Sequence, residues 1–221
     1  MTRAEEPDQT ETTAAAEPPR DCALCPRLVA YRRANRTAEP DWWNGAVPSF
    51  GSPDARLLIV GLAPGRTGAN RTGRPFTGDW AGDLLYATLT ELGLAAGTYA
   101  ARPDDGLTLR KTMITNALRC APPENKPVAA ETAACRDFLA ARIAALPDLV
   151  AIVTLGRIAH DSTLRALGER PAAHRFAHGA ETRVGGIQIF ASYHCSRYNT
   201  QTGRLTAEMF RDVLERARAA I

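Results

Sequence analysis

Four short apolar runs stand out along the chain: Leu57–Gly61, Thr112–Asn116, Val150–Leu155 and Ile187–Ser192. Each is short, apolar and bounded by polar or Gly-rich sequence, the signature of a buried strand. Between and after them the apolar positions recur at helical spacing, over Trp80–Leu94, Ala129–Leu146, Ile158–Leu167 and Thr206–Ala219. A further short helix is expected over Cys22–Arg33. Strands alternating with helices imply an α/β fold, a parallel sheet with helices on both faces. Ligands of such sheets bind at the carboxyl ends of the strands. Here those ends are Gly61, Asn116, Gly156 and His194.

The stretch between the first strand and the first long helix departs most from this pattern. Residues 61–82 read GLAPGRTGANRTGRPFTGDWAG, with six glycines and three arginines, Arg66, Arg71 and Arg74. Glycine lets backbone turn sharply and approach a ligand closely. A strand, a Gly-rich loop and a helix N-terminus together form a natural anion site. No Gly-Lys-Ser/Thr follows the glycines, which excludes a P-loop, and the spacing is not the GxGxxG of dinucleotide sites. A second polar loop, residues 192–206, follows the last strand, with Thr206 as an expected helix cap. His194 lies in it at the functional edge of the sheet, among Ser196, Arg197, Asn199 and Arg204. Trp42 and Trp43 fall in a third loop, as packing residues or as the lining of a groove.

Composition bounds the reading further. The chain has 221 residues, 45% of them hydrophobic, and a formal net charge of +3. That length supports one α/β domain, expected over residues 21–221. Residues 1–20, rich in Thr, Ala, Glu and Pro, are expected to be a disordered tail. No apolar stretch approaches the roughly 18 residues of a membrane span, and the polar, acidic N-terminus does not resemble a signal peptide. A cytoplasmic protein without membrane contact is expected, working as a monomer. The mild positive charge permits nucleic-acid binding without arguing for it. In that compartment five cysteines do not suggest a disulfide framework. Cys22-x2-Cys25 and Cys120-x14-Cys135 make two pairs, a candidate four-thiolate site for zinc or an iron–sulfur cluster; spacing alone does not choose.

With these pieces assembled, the chain resembles the uracil-DNA glycosylase superfamily, and within it the type 5 (family-B) enzymes. The resemblance spans about residues 21–220. It rests on GLAPGRTGANRTGRPFTGD (61–79), Asn116 followed by Cys120, the four-cysteine pattern and HCSRYNTQTGRLT (194–206). It implies a three-layer α/β/α fold with a central four-stranded parallel sheet. It implies excision of uracil from DNA, with hypoxanthine and xanthine as further candidates; a non-catalytic binding module of the same fold, holding iron–sulfur or zinc, is the alternative. It favours a structural 4Fe–4S cluster on Cys22, Cys25, Cys120 and Cys135. His194 would donate to the departing base and Asn116 would read the base edge. Phe76 would stack on the base over a floor of Gly61, Leu62, Ala63 and Gly65, with Asn199 supporting the pocket. Ser196, Arg197, Arg204 and Arg71 would contact DNA.

Two positions depart from common superfamily patterns. Leu62 stands where many members carry Asp, Asn or Glu, as it does in type 5 enzymes. The resemblance then implies that Asp79 orients or activates the water; its bland alternative is a helix cap. The second motif begins His-Cys-Ser rather than His-Pro-Ser. Cys195 there loses the rigidity of proline and is expected to stay outside the cluster.

Overall fold

The computed structural model describes residues 17–221. In chain order the elements are α1 (Pro26–Ala38), β1 (Phe50–Gly51), β2 (Leu57–Gly61), α2 (Ala69–Thr72), α3 (Trp80–Glu91), β3 (Ala95–Ala96), β4 (Thr108–Leu109), β5 (Thr112–Asn116), α4 (Ala129–Ala134), α5 (Arg136–Ala144), β6 (Ala151–Leu155), α6 (Arg157–Ala166), β7 (Glu181–Val184), β8 (Ile187–Ser192), α7 (Arg197–Gln201) and α8 (Ala207–Ala219). Six strands form one sheet in the order β1-β5-β2-β6-β8-β7. The central four, β5, β2, β6 and β8, are parallel, as the sequence implied.

Period-2 alternation sorts the central strands between two cores. Leu57 and Ile59 of β2 join Val153 and Phe190 on one face, under Leu85 and Leu89 of α3 and Phe210 and Leu214 of α8. Leu58 and Val60 join Ile152 and Ile189 on the other, under Leu139 and Ile143 of α5 and Leu164 of α6. A strand apolar on both faces is what a sheet covered on both sides requires. The result is helices, sheet, helices, in three layers.

The register brings Gly61 opposite Asn116 and Leu155 opposite Ser192. The strand ends that sequence patterning singled out therefore line up along one edge of the sheet.

Local boundaries differ from expectation in instructive places. The first helix begins at Pro26, not Cys22; proline suits the first helical turn, where its missing N–H costs nothing, and Cys25 takes the cap position. The helix expected over 129–146 is two, parted at Cys135, whose Sγ accepts a hydrogen bond from the Arg119 backbone N–H at 3.4 Å. The sheet gains two antiparallel edges, β1 on β5 and β7 on β8. β1 is two residues long, and β7 reads Glu-Thr-Arg-Val with no residue fully buried, so neither has an apolar run to betray it. Of the tail expected over residues 1–20, residues 1–16 lie outside the described residues. Glu17 is anchored on Arg119 and Arg142, and Pro18 is buried. No described helix is long and apolar enough to cross a membrane.

Candidate active site

The loop from Leu62 to Asp79 is held in shape by its own polar residues. Arg74 is buried and makes paired 2.8 Å hydrogen bonds to both carboxylate oxygens of Asp105. Those bonds hold the Asp105 carboxyl well below the usual carboxylate range. Arg66 donates to Asn35 Oδ1 at 2.9 Å, and Asn70 to Asn44 Oδ1 at 3.0 Å. Two of the three loop arginines thus serve the fold. The third, Arg71, is exposed and faces away from the cleft described below.

Held this way, the loop presents Phe76 with φ +52°, a backbone state that costs a bulky residue energy and persists only where surroundings enforce it. Tyr86 and Tyr99 supply that enforcement: their hydroxyls donate to the carbonyls of Pro75 (2.6 Å) and Phe76 (3.3 Å). Phe76 meets Asn116 over Gly61. A Cβ on Gly61 would collide with Asn116 Oδ1 and come within 2.5 Å of Phe76 Cζ; only glycine fits. Asn116 is 2% exposed, and its Oδ1 has no hydrogen-bond partner among the described residues.

His194 connects this buried corner to open solvent. Its ring lies 5.8 Å from that of Phe76, with 24° between the planes. Two stacking separations need about 7 Å, so no base fits between the rings; one must approach from the cleft side. His194 is only half-buried by surface, yet enough protein surrounds the ring for burial to push its pKa down to about 4. At neutral pH it is an uncharged imidazole. Asn199 Nδ2 donates to the His194 carbonyl at 2.8 Å and fixes the turn. Ser196 caps α7 through a 3.4 Å hydrogen bond from Asn199 N–H. Buried Cys195 donates to the Ala81 carbonyl at 3.5 Å, which ties this loop to the start of α3.

Asp79 caps α3, accepting from Gly82 N–H at 3.2 Å. Its carboxylate also lies against the backbone of the loop: a Cβ on Gly68 would strike it. Burial raises its pKa above the ordinary value, against the lowering effect of the Gly82 and Ala81 N–H groups.

These groups border a cleft of about 650 Å³ at the carboxyl end of the sheet. Leu62, Ala63, Gly65, Asp79, His194 and Ser196 wall it, joined by Arg197. Gly61, Asn116 and Phe76 lie behind that wall. Arg204 borders an adjoining hollow, its guanidinium 4.6 Å over the Tyr193 ring. Four further polar or aromatic wall residues escaped sequence reasoning. Arg157 opens α6 directly after the strand-end Gly156, a position the pattern does mark. Trp80 donates to Thr200 Oγ1 at 2.9 Å and carries Arg197 at 5.7 Å over its ring. Tyr198 is exposed beside them, and Asn125 arrives from a turn that carries no local signal.

The four cysteines Cys22, Cys25, Cys120 and Cys135 line a different, small apolar pocket with Leu28 and Leu118. Arg32 Nη1 lies 3.7 Å from Cys120 Sγ. Among the described residues no three Cys, His, Asp or Glu side chains gather closely enough to hold one metal ion. Burial raises the thiol pKa values of Cys120 to about 12 and of Cys135 to about 11. Cys195 lies in the main core, outside this pocket.

Fold, cleft and motifs together define a class, and comparison names it: a model of the uracil DNA glycosylase superfamily matches residues 48–218, and the chain belongs to that superfamily. Within it, the chain is 50% identical over 205 residues to the type-5 uracil-DNA glycosylase of Thermus thermophilus, covering 89% of this chain and 92% of the relative. It is 42% identical over 203 residues to the type-5 uracil-DNA glycosylase of Pyrobaculum aerophilum, covering 90% and 88%. A type-4 uracil-DNA glycosylase of Sulfurisphaera tokodaii matches at 31% over 179 residues, covering 78% and 74%.

Proposed function

We propose that this chain excises uracil from DNA by hydrolysing the N-glycosidic bond, leaving an abasic site. The observation that carries the reading is Asn116: a buried amide oxygen without a hydrogen-bond partner among the described residues, at a strand end beside an aromatic ring and behind a cleft. An unsatisfied buried polar group costs free energy and is tolerated where a ligand completes it. The Asn116 amide offers both a donor and an acceptor, as a pyrimidine edge requires. A base inside a duplex cannot reach such a site, so it must be flipped out of the stack.

The chemistry then falls to groups already in position. As the bond from C1′ to the base breaks, its electron pair leaves with the base. His194, neutral by virtue of its burial, donates a hydrogen bond to the base carbonyl where negative charge collects. A preorganised donor in a site shielded from water suits a developing anion. Asp79 orients the water whose oxygen bonds to C1′ and takes its proton; a raised pKa makes it a better base. Leu62 contributes main chain and no carboxylate. Ser196, Arg197 and Arg204 contact phosphates, giving affinity without sequence reading. Hypoxanthine and xanthine are further substrates on this reading, because an amide that rotates reads more than one edge.

On this reading Cys22, Cys25, Cys120 and Cys135 would hold a 4Fe–4S cluster, one thiolate to each iron, an arrangement that does not need three ligands around one ion. In support, the thiols share one apolar pocket, and two buried arginines adjoin it with nitrogens that lack hydrogen-bond partners among the described residues, Arg32 Nε and Arg119 Nε and Nη2. When bound, the cluster supplies a structural cross-link between the start of the chain and residues 120–135, with no part in bond cleavage. On this reading the protein works as a monomer in the cytoplasm.

The test is incubation of purified protein with uracil-containing single- and double-stranded oligonucleotides, then alkaline cleavage. Scission at the uracil position is expected, with parallel hypoxanthine and xanthine strands reading the range. Strands intact at uracil would overturn the proposal.

A further inference from the structure

The loop that carries Phe76 and Asp79 has a second side. Behind it lies a depression of about 420 Å³ that shares no lining residue with the cleft. Trp42 and Trp43 line it, with Arg20, Arg71 and Arg102 around them and Asp41 as the carboxylate on the wall. It opens at the same end of the sheet as the cleft. β1 runs antiparallel to β5 with Phe50 opposite Ile114, and Ser49 Oγ donates to Thr115 Oγ1 at 2.9 Å. Residues before Ser49 therefore run past the carboxyl end of β5.

The wall is fixed and its charges are accessible. Trp43 N–H donates to the Arg71 carbonyl at 2.9 Å, and the indole Nε1 to the Ala46 carbonyl at 3.0 Å. The Arg20 guanidinium lies 4.4 Å over the Trp43 ring, and that of Arg66 lies 5.1 Å over Trp42. Arg71 uses Nε on the Thr67 carbonyl and is otherwise exposed. Arg102 is exposed, with a 3.5 Å approach to the equally exposed Asp104. Three guanidinium groups, Arg20, Arg71 and Arg102, against the carboxylates of Asp41 and the neighbouring Asp104 leave the depression positive.

We propose that this depression binds an unpaired nucleotide of the DNA strand outside the flipped base, its base against the Trp42 indole and its phosphates on Arg71 and Arg102; Trp43, held between the Arg20 guanidinium and Gly73, is the fixed wall beside it. The inference rests on the glycosylase reading only in taking DNA as the ligand. A base paired in a duplex has no free face for an indole, so the ligand is single-stranded DNA. Aromatic platforms beside cationic side chains hold single strands with little regard for sequence. The loop of residues 62–79 would then be gripped on both sides, by the damaged base in the cleft and by a neighbouring nucleotide behind it.

The experiment is fluorescence anisotropy with labelled, uracil-free oligonucleotides, single-stranded and duplex, on the full chain. Trp42→Ala should weaken single-strand binding by about 5- to 150-fold, the range for losing one base–aromatic stack, and Trp42→Phe should restore most of it. Arg102→Ala should weaken it too, and lower the slope of log affinity against log salt by about 0.7. Duplex affinity should stay close to wild type, and melting temperatures establish folding. Folded variants that bind single strands like wild type would overturn the proposal, as would an equal loss on duplex. Base release is scored separately on uracil strands. A wild-type protein that releases no base yet shows Trp42-dependent binding would sink the glycosylase reading and leave this one standing. Normal release with indifferent variants would sink this one alone.

Discussion

His194 is half open to the cleft by surface, yet its ring is neutral because burial disfavours the charged form. His194→Ala should slow single-turnover uracil release by roughly 10²–10³-fold, the range for removing one preorganised donor, and leave DNA affinity nearly unchanged. The same burial sets a pH dependence. The ordinary value is 6.5 and the folded value about 4, so the folded state binds fewer protons between them. Stability from the neutral ring is complete above pH 6.5 and is lost as pH falls towards 4. Urea melts over that window should show wild type losing more stability than His194→Gln; parallel curves would refute the assignment. Asp79 answers to a different substitution. Asp79→Asn keeps the cap on Gly82 N–H, so the melting temperature should hold, while loss of the base should slow release by roughly 10²–10⁴-fold. An unchanged rate would leave Asp79 a cap and nothing more.

At the scale of elements, the junction at Cys135 bears on the cysteine pocket. Parting α4 from α5 there lets the thiol take a backbone N–H from Arg119, in the segment that also carries Cys120. Cys120→Ala should give a paler protein with lower iron content and lower soluble yield, because lost ligation is lost folding free energy. Cys195→Ala should keep its colour, since that thiol sits in the core against Ala81. Bleaching of the Cys195 variant alone would reverse the ligand assignment. Legibility from sequence divides along the same line. β2, β5 and β8 could be read to the residue because each is a short run with an apolar centre bounded by polar or Gly-rich sequence. The Cys135 break could not be read, because Ala133-Ala134-Cys135-Arg136 contains neither glycine nor proline and the cause is a contact 16 residues away. Asn116 and His194 could be placed at the sheet edge because strand ends fix positions, and Asp79 at the start of the following helix because Asp favours the cap. The burial of Arg74 and the outward turn of Arg71 could not, because both depend on partners remote in sequence, Asp105 and Trp43.

Across the whole molecule, Glu17 is the tie that closes the start of the described chain onto the body. Its carboxylate meets Arg119 Nη1 at 2.6 Å and Arg142 Nε at 3.0 Å. Arg119 is among the largest fully buried side chains. Removing the carboxylate from a buried pair costs about 3–5 kcal/mol, so Glu17→Ala should lower the melting temperature by roughly 6–20 °C. Glu17→Gln, which keeps an acceptor and loses the charge, should fall between. A wild-type melting curve for the alanine variant would assign the balancing of Arg119 to other groups.

The placement of β2 at the centre of the sheet has a cost during translation. Both its neighbours come later in the chain, Leu57 pairing with Thr112 on one side and Ala151 on the other. At about 5–20 residues per second, residue 151 leaves the ribosome roughly 5–20 s after residue 57. For that interval the nascent chain carries Leu-Leu-Ile-Val, a strand apolar on both faces, with at least one edge bare. The same strand that ends beside Asn116 is thus a segment in need of a chaperone while the protein is being made.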